Sequence, residues 1–308
     1  MVIGGRITLT RIPDGNNSLS RRWGTYGYTG RLAFDEVVFE IPEAPEGISQ
    51  HLFLPIQGGT LEFNSCEIRQ LGTRLSHILA YVDHTSLVRL NQSTVTGPFW
   101  QVISMTAGGN VALRGSTMSG GGAGIGFAGG QEPGGLPLPR VEILEGSTLR
   151  DFSAYAVHLP NHGQVVVQDS VIRDNQLGGI YLPGTENLPW VTGTYLLQVR
   201  RSFIADNGGR LDDSGLGGLI LRGSPNSVFD LGTASSPGGN TLLGRSSRRP
   251  ALRIGTTTDV IVQAVGNHFN PDVRGADADG RCEGDVLVRG GEGSNYLITS
   301  GALRLAGN

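Results

Sequence analysis

Three aspartates recur at one position of a repeated sequence pattern, and carboxylates spaced in this way could bind a cation. Asp151, Asp174 and Asp206 each fall two residues after an apolar residue that recurs along the chain. If these positions stack, the carboxylates repel one another unless a cation or an arginine lies between them. The row is therefore a candidate site for Ca²⁺ or a sugar. The alternative is that all three are turn residues that cap backbone N–H groups.

A second set of residues has the types that glycoside hydrolysis uses. Asp212 and Asp213 form a carboxylate pair, and His162, in Asn161-His162-Gly163, supplies an imidazole. Hydrolysis of a glycosidic bond needs two carboxyl groups, one of which acts as an acid. The structural alternative is that His162 belongs to a turn before a strand that starts at Val165.

Cleavage of a polysaccharide by elimination, as a lyase does it, would need a different base to abstract a proton. All 24 basic residues are arginines, which excludes any mechanism with a lysine base or a Schiff base. An arginine or a His–Tyr pair remains. Tyr155 and His158 lie in one predicted strand and Tyr181 in the next. Their separation of three residues predicts that Tyr155 and His158 point to opposite faces, which argues against the pair.

An acidic cluster near the C-terminus suggests a metal site. Asp277-Ala278-Asp279-Gly280 begins like a calcium-binding loop, and Asp277 and Asp279 would be its first ligands. Arg281 occupies the fifth position, so the full twelve-residue pattern is not met. No His or Cys pair has the spacing of a zinc site.

Charge and hydropathy narrow the classes of partner. The net charge is −3 and the isoelectric point is about 6.1, so we expect no nucleic-acid partner. No stretch approaches the ~18 apolar residues of a membrane span. Residues 1–5 lack the basic start and apolar core of a signal peptide, so an exported form would be mature or trimmed.

These candidate residues lie on a sequence repeat of three apolar residues. The second apolar residue comes two positions after the first, and the third comes five positions after the second. The third residue is called here the rung position. The rung positions are residues 39, 68, 95, 118, 149, 172, 204, 242 and 269. The mean step from one rung position to the next is about 29 residues. The unit ending at Leu149 is one residue longer, which suggests a bulge. The unit ending at Leu242 lacks a recognisable first strand.

A second segment with period-two alternation follows each unit, for example Ile180 to Leu182. Short strands joined by polar turns cannot bury their apolar side chains alone, whereas stacked coils can. The sequence therefore predicts an all-β, single-stranded, right-handed parallel β-helix of about nine rungs. It would be one domain, 1–308, with caps at 1–30 and 275–308 and coils over 31–274. The longer insertions, at 119–140, 183–196, 207–217 and 223–238, would form the binding face.

A column of small or polar residues stands two residues before the rung positions, and it predicts an inward or turn-lining stack. Its members are Cys66, Ser93, Ser116, Ser147, Ser170, Ser202, Asn240 and Asn267. Cys66 would then be a small apolar filler, too far along the axis from Cys282 for a disulfide.

This organisation resembles the pectin-lyase-like superfamily of β-helices. Residues 228–282, with Pro237-Gly238-Gly239-Asn240-Thr241 and Val265-Gly266-Asn267, are similar to an uncharacterised family of secreted bacterial β-helix proteins, many of them lipoproteins. That resemblance implies export and a location at the bacterial surface or envelope. The His-Gly and Asp-Asp pairs resemble fragments of polygalacturonase motifs, but in reverse order, and the other motifs are missing.

We therefore expect a non-catalytic exported or cell-surface protein whose insertions bind a glycan, a matrix or a cell-surface protein. The alternative is a hydrolase or lyase acting on acidic polysaccharides. A phage-like tail component is a third interpretation, although trimerising segments are not evident. Apart from Ca²⁺ no cofactor is implied, and the oligomeric state stays open.

Overall fold

The computed structural model describes residues 2–8, 29–43, 50–83, 85–106, 108–127, 137–183, 194–209, 217–221, 226–233, 235–245, 249–256, 262–269, 281–283, 286–290, 296–299 and 302–305. Residues 1–153 and 154–308 form two compact units, called here the N-terminal and C-terminal units. Both units consist of β-strands, and the described residues contain no helix. The prediction of an all-β chain is confirmed.

The described residues of the N-terminal unit form fourteen strands: β1 Val2–Thr8, β2 Arg31–Ile41, β3 Gln50–Phe53, β4 Thr60–Asn64, β5 Glu67–Gln70, β6 His77–Val82, β7 Leu87–Asn91, β8 Thr94–Thr96, β9 Gln101–Met105, β10 Asn110–Arg114, β11 Thr117–Ser119, β12 Ala123–Phe127, β13 Arg140–Leu144 and β14 Thr148–Arg150. Most repeats contribute two strands to a first sheet, joined by a short corner, and one strand to a second sheet. In the repeat at residues 31–41 the single strand β2 takes both first-sheet places and pairs with β4 and with β5. In the first sheet Val88 pairs with Leu61 and with Val111, all in parallel. In the second sheet β3, β6, β9 and β12 pair in parallel.

In the C-terminal unit the part of the chain that the structure describes forms sixteen strands: β15 Tyr155–His158, β16 Gly163–Gln168, β17 Val171–Arg173, β18 Gly178–Leu182, β19 Tyr195–Arg200, β20 Phe203–Ala205, β21 Gly217–Leu221, β22 Val228–Gly232, β23 Thr241–Leu243, β24 Leu252–Thr256, β25 Val262–Ala264, β26 His268–Phe269, β27 Arg281–Glu283, β28 Val286–Gly290, β29 Tyr296–Thr299 and β30 Ala302–Leu305. Its first sheet repeats the pattern, with Ile172 paired to Ile204 and Ile204 to Leu242. Its second sheet pairs β15, β18, β21, β24 and β28 in parallel. The last strands form antiparallel hairpins, β27 with β28 and β29 with β30.

The sequence repeat and the strand register agree, because the aligned apolar residues are the inward positions. Leu61, Val88, Val165 and Ile172 are fully buried, whereas Gln168, which lies outside the apolar positions, is exposed. A parallel-strand repeat with solenoid-like stacking is thus present in each unit.

Two local predictions are wrong. The extra residue before Leu149 does not form a bulge: β13 and β14 pair with their neighbours without a break, and the residue lengthens the turn at Glu145 and Gly146. The unit ending at Leu242 keeps its first strand, β22, which pairs with β19 and with β25. An insertion between β22 and β23 hides the strand from the repeat.

A left-handed residue turns the chain at each corner. The residues three positions before the rung position all have positive φ, between 46° and 80°. They are Glu36, Ser65, Gln92, Gly115, Gly146, Asp169, Arg201, Gly239 and Gly266. Only some are glycine, so stacking of the coils holds L-residues in a conformation that costs them roughly 1 kcal/mol or more.

The next residue of the corner is the small-residue column, and it forms a ladder of hydrogen bonds. The backbone N–H of Cys66 donates to Ser93 Oγ at 3.0 Å, and the N–H of Ser93 donates to Ser116 Oγ at 3.0 Å. Ser116 donates in turn to Ser147 Oγ at 3.2 Å. In the C-terminal unit the N–H of Ser202 donates to Asn240 Oδ1 at 3.0 Å. Each of these acceptor side chains therefore accepts a hydrogen bond from a backbone N–H of the preceding coil.

The hydroxyls also serve carbonyl groups. Ser116 Oγ lies 2.9 Å from Leu90 O and 3.0 Å from Arg114 O, within reach of its single proton. Cys66 takes the same role, since Sγ lies 3.3 Å from Phe34 O and from Asn64 O. Burial raises the pKa of the Cys66 thiol. Cys66 is a free cysteine, as predicted, but it is a weak donor in the ladder rather than an apolar filler.

Replacement of Ser116 by Ala removes one acceptor and one donor from this ladder. The buried N–H of Ser93 and the carbonyl of Leu90 lose a partner, so we expect the free energy of unfolding to fall by about 1–3 kcal/mol. Chemical denaturation measures this change. Ser119→Ala, at a half-buried serine of β11, is the control and should cost less. Equal losses in the two variants would contradict the importance of the ladder.

Candidate functional site

The aspartate row consists of turn residues. Asp151, Asp174 and Asp206 have φ values of 61°, 58° and 54°, and glycines with positive φ occupy the same repeat position at Gly97 and Gly120. Asp and Asn adopt this left-handed conformation more readily than most residues. The aspartates therefore stand where the backbone favours a glycine or an aspartate, as the structural alternative requires.

The carboxylates of the row also have local partners. Asp151 lies 3.2 Å from the guanidinium of Arg150, and Asp174 lies 3.6 Å from that of Arg173. Within the part of the chain that the structure describes, no three His, Cys, Asp or Glu side chains are grouped so that they could hold a metal ion. Ca²⁺ binding by the row stays a prediction.

Of the predicted hydrolase and calcium-loop residues, the structure describes His162. His162 is buried in the turn before β16, which starts at Gly163 rather than at Val165. Asp212 and Asp213, the predicted carboxylate pair, lie outside the described residues. Asp277 and Asp279, the predicted calcium ligands, lie outside them as well, and so does the side chain of Cys282.

Three rings form a cluster on the second sheet of the C-terminal unit, called here the aromatic cluster: Tyr155, His158 and Tyr181. The ring centroids of Tyr155 and Tyr181 are 4.7 Å apart, those of His158 and Tyr181 5.0 Å, and those of Tyr155 and His158 5.3 Å. The rings of His158 and Tyr181 are within 18° of parallel. Because 5.0 Å exceeds the ~3.5 Å contact distance of stacked carbon atoms, the two rings are offset and overlap only in part.

The expectation that Tyr155 and His158 point to opposite faces is wrong. Tyr155 is the first residue of β15 and directly follows a bend at Ser153 and Ala154, where regular alternation has not begun. Its register partner is Gly178, and a Cβ added to that glycine would lie 3.0 Å from Tyr155 Cδ1. The missing side chain at Gly178 therefore makes room for the Tyr155 ring.

The strands beneath the cluster are closely packed. A Cβ at Gly179 would lie 2.5 Å from the carbonyl oxygen of Gly218, and one at Gly217 would lie 2.7 Å from that of Pro250. Side chains at these positions would force the backbones apart. The glycines of β18 and β21 thus hold the cluster on a rigid base.

The imidazole of the cluster is uncharged near neutral pH. Burial lowers the pKa of His158 to about 4. Tyr155 and Tyr181 are half-buried, so part of each side chain is exposed to solvent. The cluster combines apolar ring surface with phenol and imidazole groups that form hydrogen bonds.

One side of the cluster is covered. Tyr181 is followed in register by Ile220 on β21 and Arg253 on β24. Although alternation places these two side chains on the outer face, Ile220 is 1% and Arg253 5% exposed. The accessible surface therefore ends at Tyr181.

The N-terminal unit carries a smaller ring pair on its own second sheet. His51 and Tyr81 stack with ring centroids 5.0 Å apart. Trp100, directly before β9, is 57% exposed. Sequence reasoning did not single out these residues, because the repeat defines inward positions and says little about outward ones.

No family model, curated protein or solved structure matches the chain. The described residues contain no helix that is long and apolar enough to cross a membrane. The aromatic cluster is the one grouping of polar rings in the described structure that combines three rings with a rigid base, and it is our candidate site.

Two replacements at Asp174 separate a turn role from calcium binding. If φ decides the residue type, Asp174→Gly should leave the free energy of unfolding within about 1 kcal/mol of the wild type. Asp174→Val should cost more, because a β-branched residue rarely adopts this conformation. The melting temperature is measured with calcium and with a chelator. A drop of several degrees on chelation, lost in Asp174→Gly, would establish the calcium site instead.

His158 should make stability dependent on pH. Since its pKa in the folded protein is about 4, against 6.5 in an unfolded chain, the unfolded state takes up a proton first as the pH falls. The contribution of neutral His158 to the free energy of unfolding is fully present above pH 6.5. It declines by up to about 1.4 kcal/mol per pH unit as the pH falls towards 4. In His158→Asn this part of the decline should disappear. Measurement at pH 8 gives the cost of the substitution itself, and identical pH profiles would contradict the assignment.

Proposed function

We propose that this protein is a non-catalytic carbohydrate-binding β-helix protein and that the aromatic cluster contacts the glycan. The observation that carries the proposal is the set of three rings in mutual contact, Tyr155, His158 and Tyr181, on closely packed strands; His158 stacks on Tyr181, and Tyr155 is tilted against both. We further propose that the fold is a right-handed parallel β-helix of about nine coils, of the pectin-lyase-like kind. Nine rung positions in the sequence and parallel register in both units support it.

The chemistry of the rings suits a sugar. Tyrosine side chains are rigid, apolar on the ring and polar at the hydroxyl, so they bind amphipathic surfaces at a low cost in side-chain entropy. A sugar ring is amphipathic in the same sense, with C–H groups beside hydroxyls. Because the cluster lies on strands, the binding surface is already formed before the ligand arrives, which favours affinity.

Binding is favoured over turnover by what surrounds the cluster. The pKa of His158, which burial lowers to about 4, makes its imidazole a weak base near neutral pH. A lyase also needs a cation beside the substrate carboxylate. Arg253 is buried on β24, two strands from Tyr181, roughly 10 Å at the usual strand spacing, and no arginine lies on β15, β18 or β21.

The proposed setting is the bacterial cell surface or the extracellular space. A rigid solenoid that presents one face to a polysaccharide or matrix fits that setting, and the resemblance of residues 228–282 to secreted proteins supports it.

Tyrosine replacements test the proposal. An unbiased glycan array with the wild-type protein identifies the ligand, and titration then gives the affinities of Tyr155→Ala and Tyr181→Ala. Each should bind about tenfold more weakly, as expected for loss of one ring contact. Tyr155→Phe, which keeps the ring, should lose less. Reducing-sugar release and absorbance of unsaturated products are followed in the same samples and should stay at background.

The matched control is Tyr81→Ala. Tyr81 also stacks on a histidine, at 5.0 Å, on a second-sheet strand of the N-terminal unit. This variant should bind as the wild type does. An equal loss of affinity in all three alanine variants, or no glycan bound by the wild type, would overturn the proposal. Turnover of the bound glycan would show an enzyme.

A further inference from the structure

The strands that carry the aromatic cluster are free of charge. β15, β18 and β21 have the sequences YAVH, GGIYL and GGLIL, with no Asp, Glu or Arg. The residue beside Tyr181 on the next strand, Ile220, is apolar and buried. The rings and strands therefore provide no fixed charge that could pair with a charged ligand.

The first sheets differ from this surface. In the C-terminal unit the guanidinium of Arg200 lies 2.6 Å from the carboxylate of Asp230. In the N-terminal unit Arg89 lies 3.0 Å from Glu62, and Glu62 also pairs with Arg31. Outward positions of the first sheet thus carry ion pairs, whereas β15, β18 and β21 carry no charge, a property they share with the second-sheet strands β3, β6, β9 and β12 of the N-terminal unit.

A carboxylate that is partly buried without a positive partner loses hydration and gains nothing in return. A ligand that docks on Tyr155, His158 and Tyr181 must place some of its atoms against the rings and lose water there. A neutral hexose meets this condition with C–H groups against the rings and hydroxyls towards the phenol and imidazole groups. A uronate would bring a charge that no described residue of these strands neutralises.

We propose that the ligand of the aromatic cluster is an uncharged glycan, a chain of neutral hexoses, rather than the acidic polysaccharide that the resemblance to pectin lyases implies. This inference rests on the proposed function, because it concerns the same three side chains. It specifies the class of glycan that the surface selects.

Matched pairs of polysaccharides test the inference. Polygalacturonate and alginate are each compared with their carboxyl-reduced forms, which keep the linkages and lose the charge, and neutral glucans complete the set. Affinities are measured for the wild type, Tyr181→Ala and the control Tyr81→Ala. We expect a neutral or carboxyl-reduced polymer to bind about tenfold or more tightly than its acidic counterpart, with the preference lost in Tyr181→Ala. Added salt should leave the affinity unchanged, because no ion pair forms.

The outcomes separate the two proposals. Tyr181-dependent binding that is equal or tighter for the acidic polymers would overturn the inference and leave carbohydrate binding by the cluster intact. Absence of any Tyr181-dependent binding, to neutral and acidic polymers alike, would overturn the proposed function and the inference with it.

Discussion

The corner between the two first-sheet strands sets the condition on which the rest of each unit depends. There the chain leaves the strand conformation, so its buried N–H and C=O groups need partners outside the regular ladder. A single side chain per coil meets this need, for example Ser93 for the N–H of Cys66 and the carbonyl of Phe63. Because a hydroxyl both accepts and donates, one small residue satisfies two groups at once. Asn240 extends the same solution with an amide, which reaches two carbonyls.

The corner fixes the inward side chains and leaves the outward ones available for function. Stacked coils bury Ile172 and its equivalents completely, while outward positions vary between ion pairs, amides and rings. Arg201 and Asp169 form an ion pair between neighbouring coils, with distances of 2.7 and 2.8 Å. Such exposed pairs contribute little to stability. The aromatic cluster is a local departure from this surface in both polarity and rigidity, and this contrast links it to binding.

The repeat could be predicted from the sequence because inward positions must be apolar, and the register of Val88 and Val111 follows from that requirement. The small-residue column was visible for the same reason, although its hydrogen bonds could not be derived without coordinates. The contact between Tyr155 and His158 was missed because strict alternation does not hold at the first residue of a strand. The first strand of the Leu242 unit was missed because an insertion separates it from the rung position. A fixed spacing between apolar positions cannot account for an insertion of unknown length.

The hydrogen-bond ladder has a direction. In each hydrogen bond of the ladder described within a unit, the donor N–H belongs to the earlier coil and the acceptor side chain to the later one, as with Ser170 and Ser202 at 3.3 Å. The corner of a coil is therefore completed only by its successor in the chain. During synthesis from the N-terminus, the newest coil would always carry an unsatisfied corner until the next one had been made. Removal of coils from the C-terminal side of a unit would expose such a corner, whereas removal from the other side would expose side chains that water can solvate.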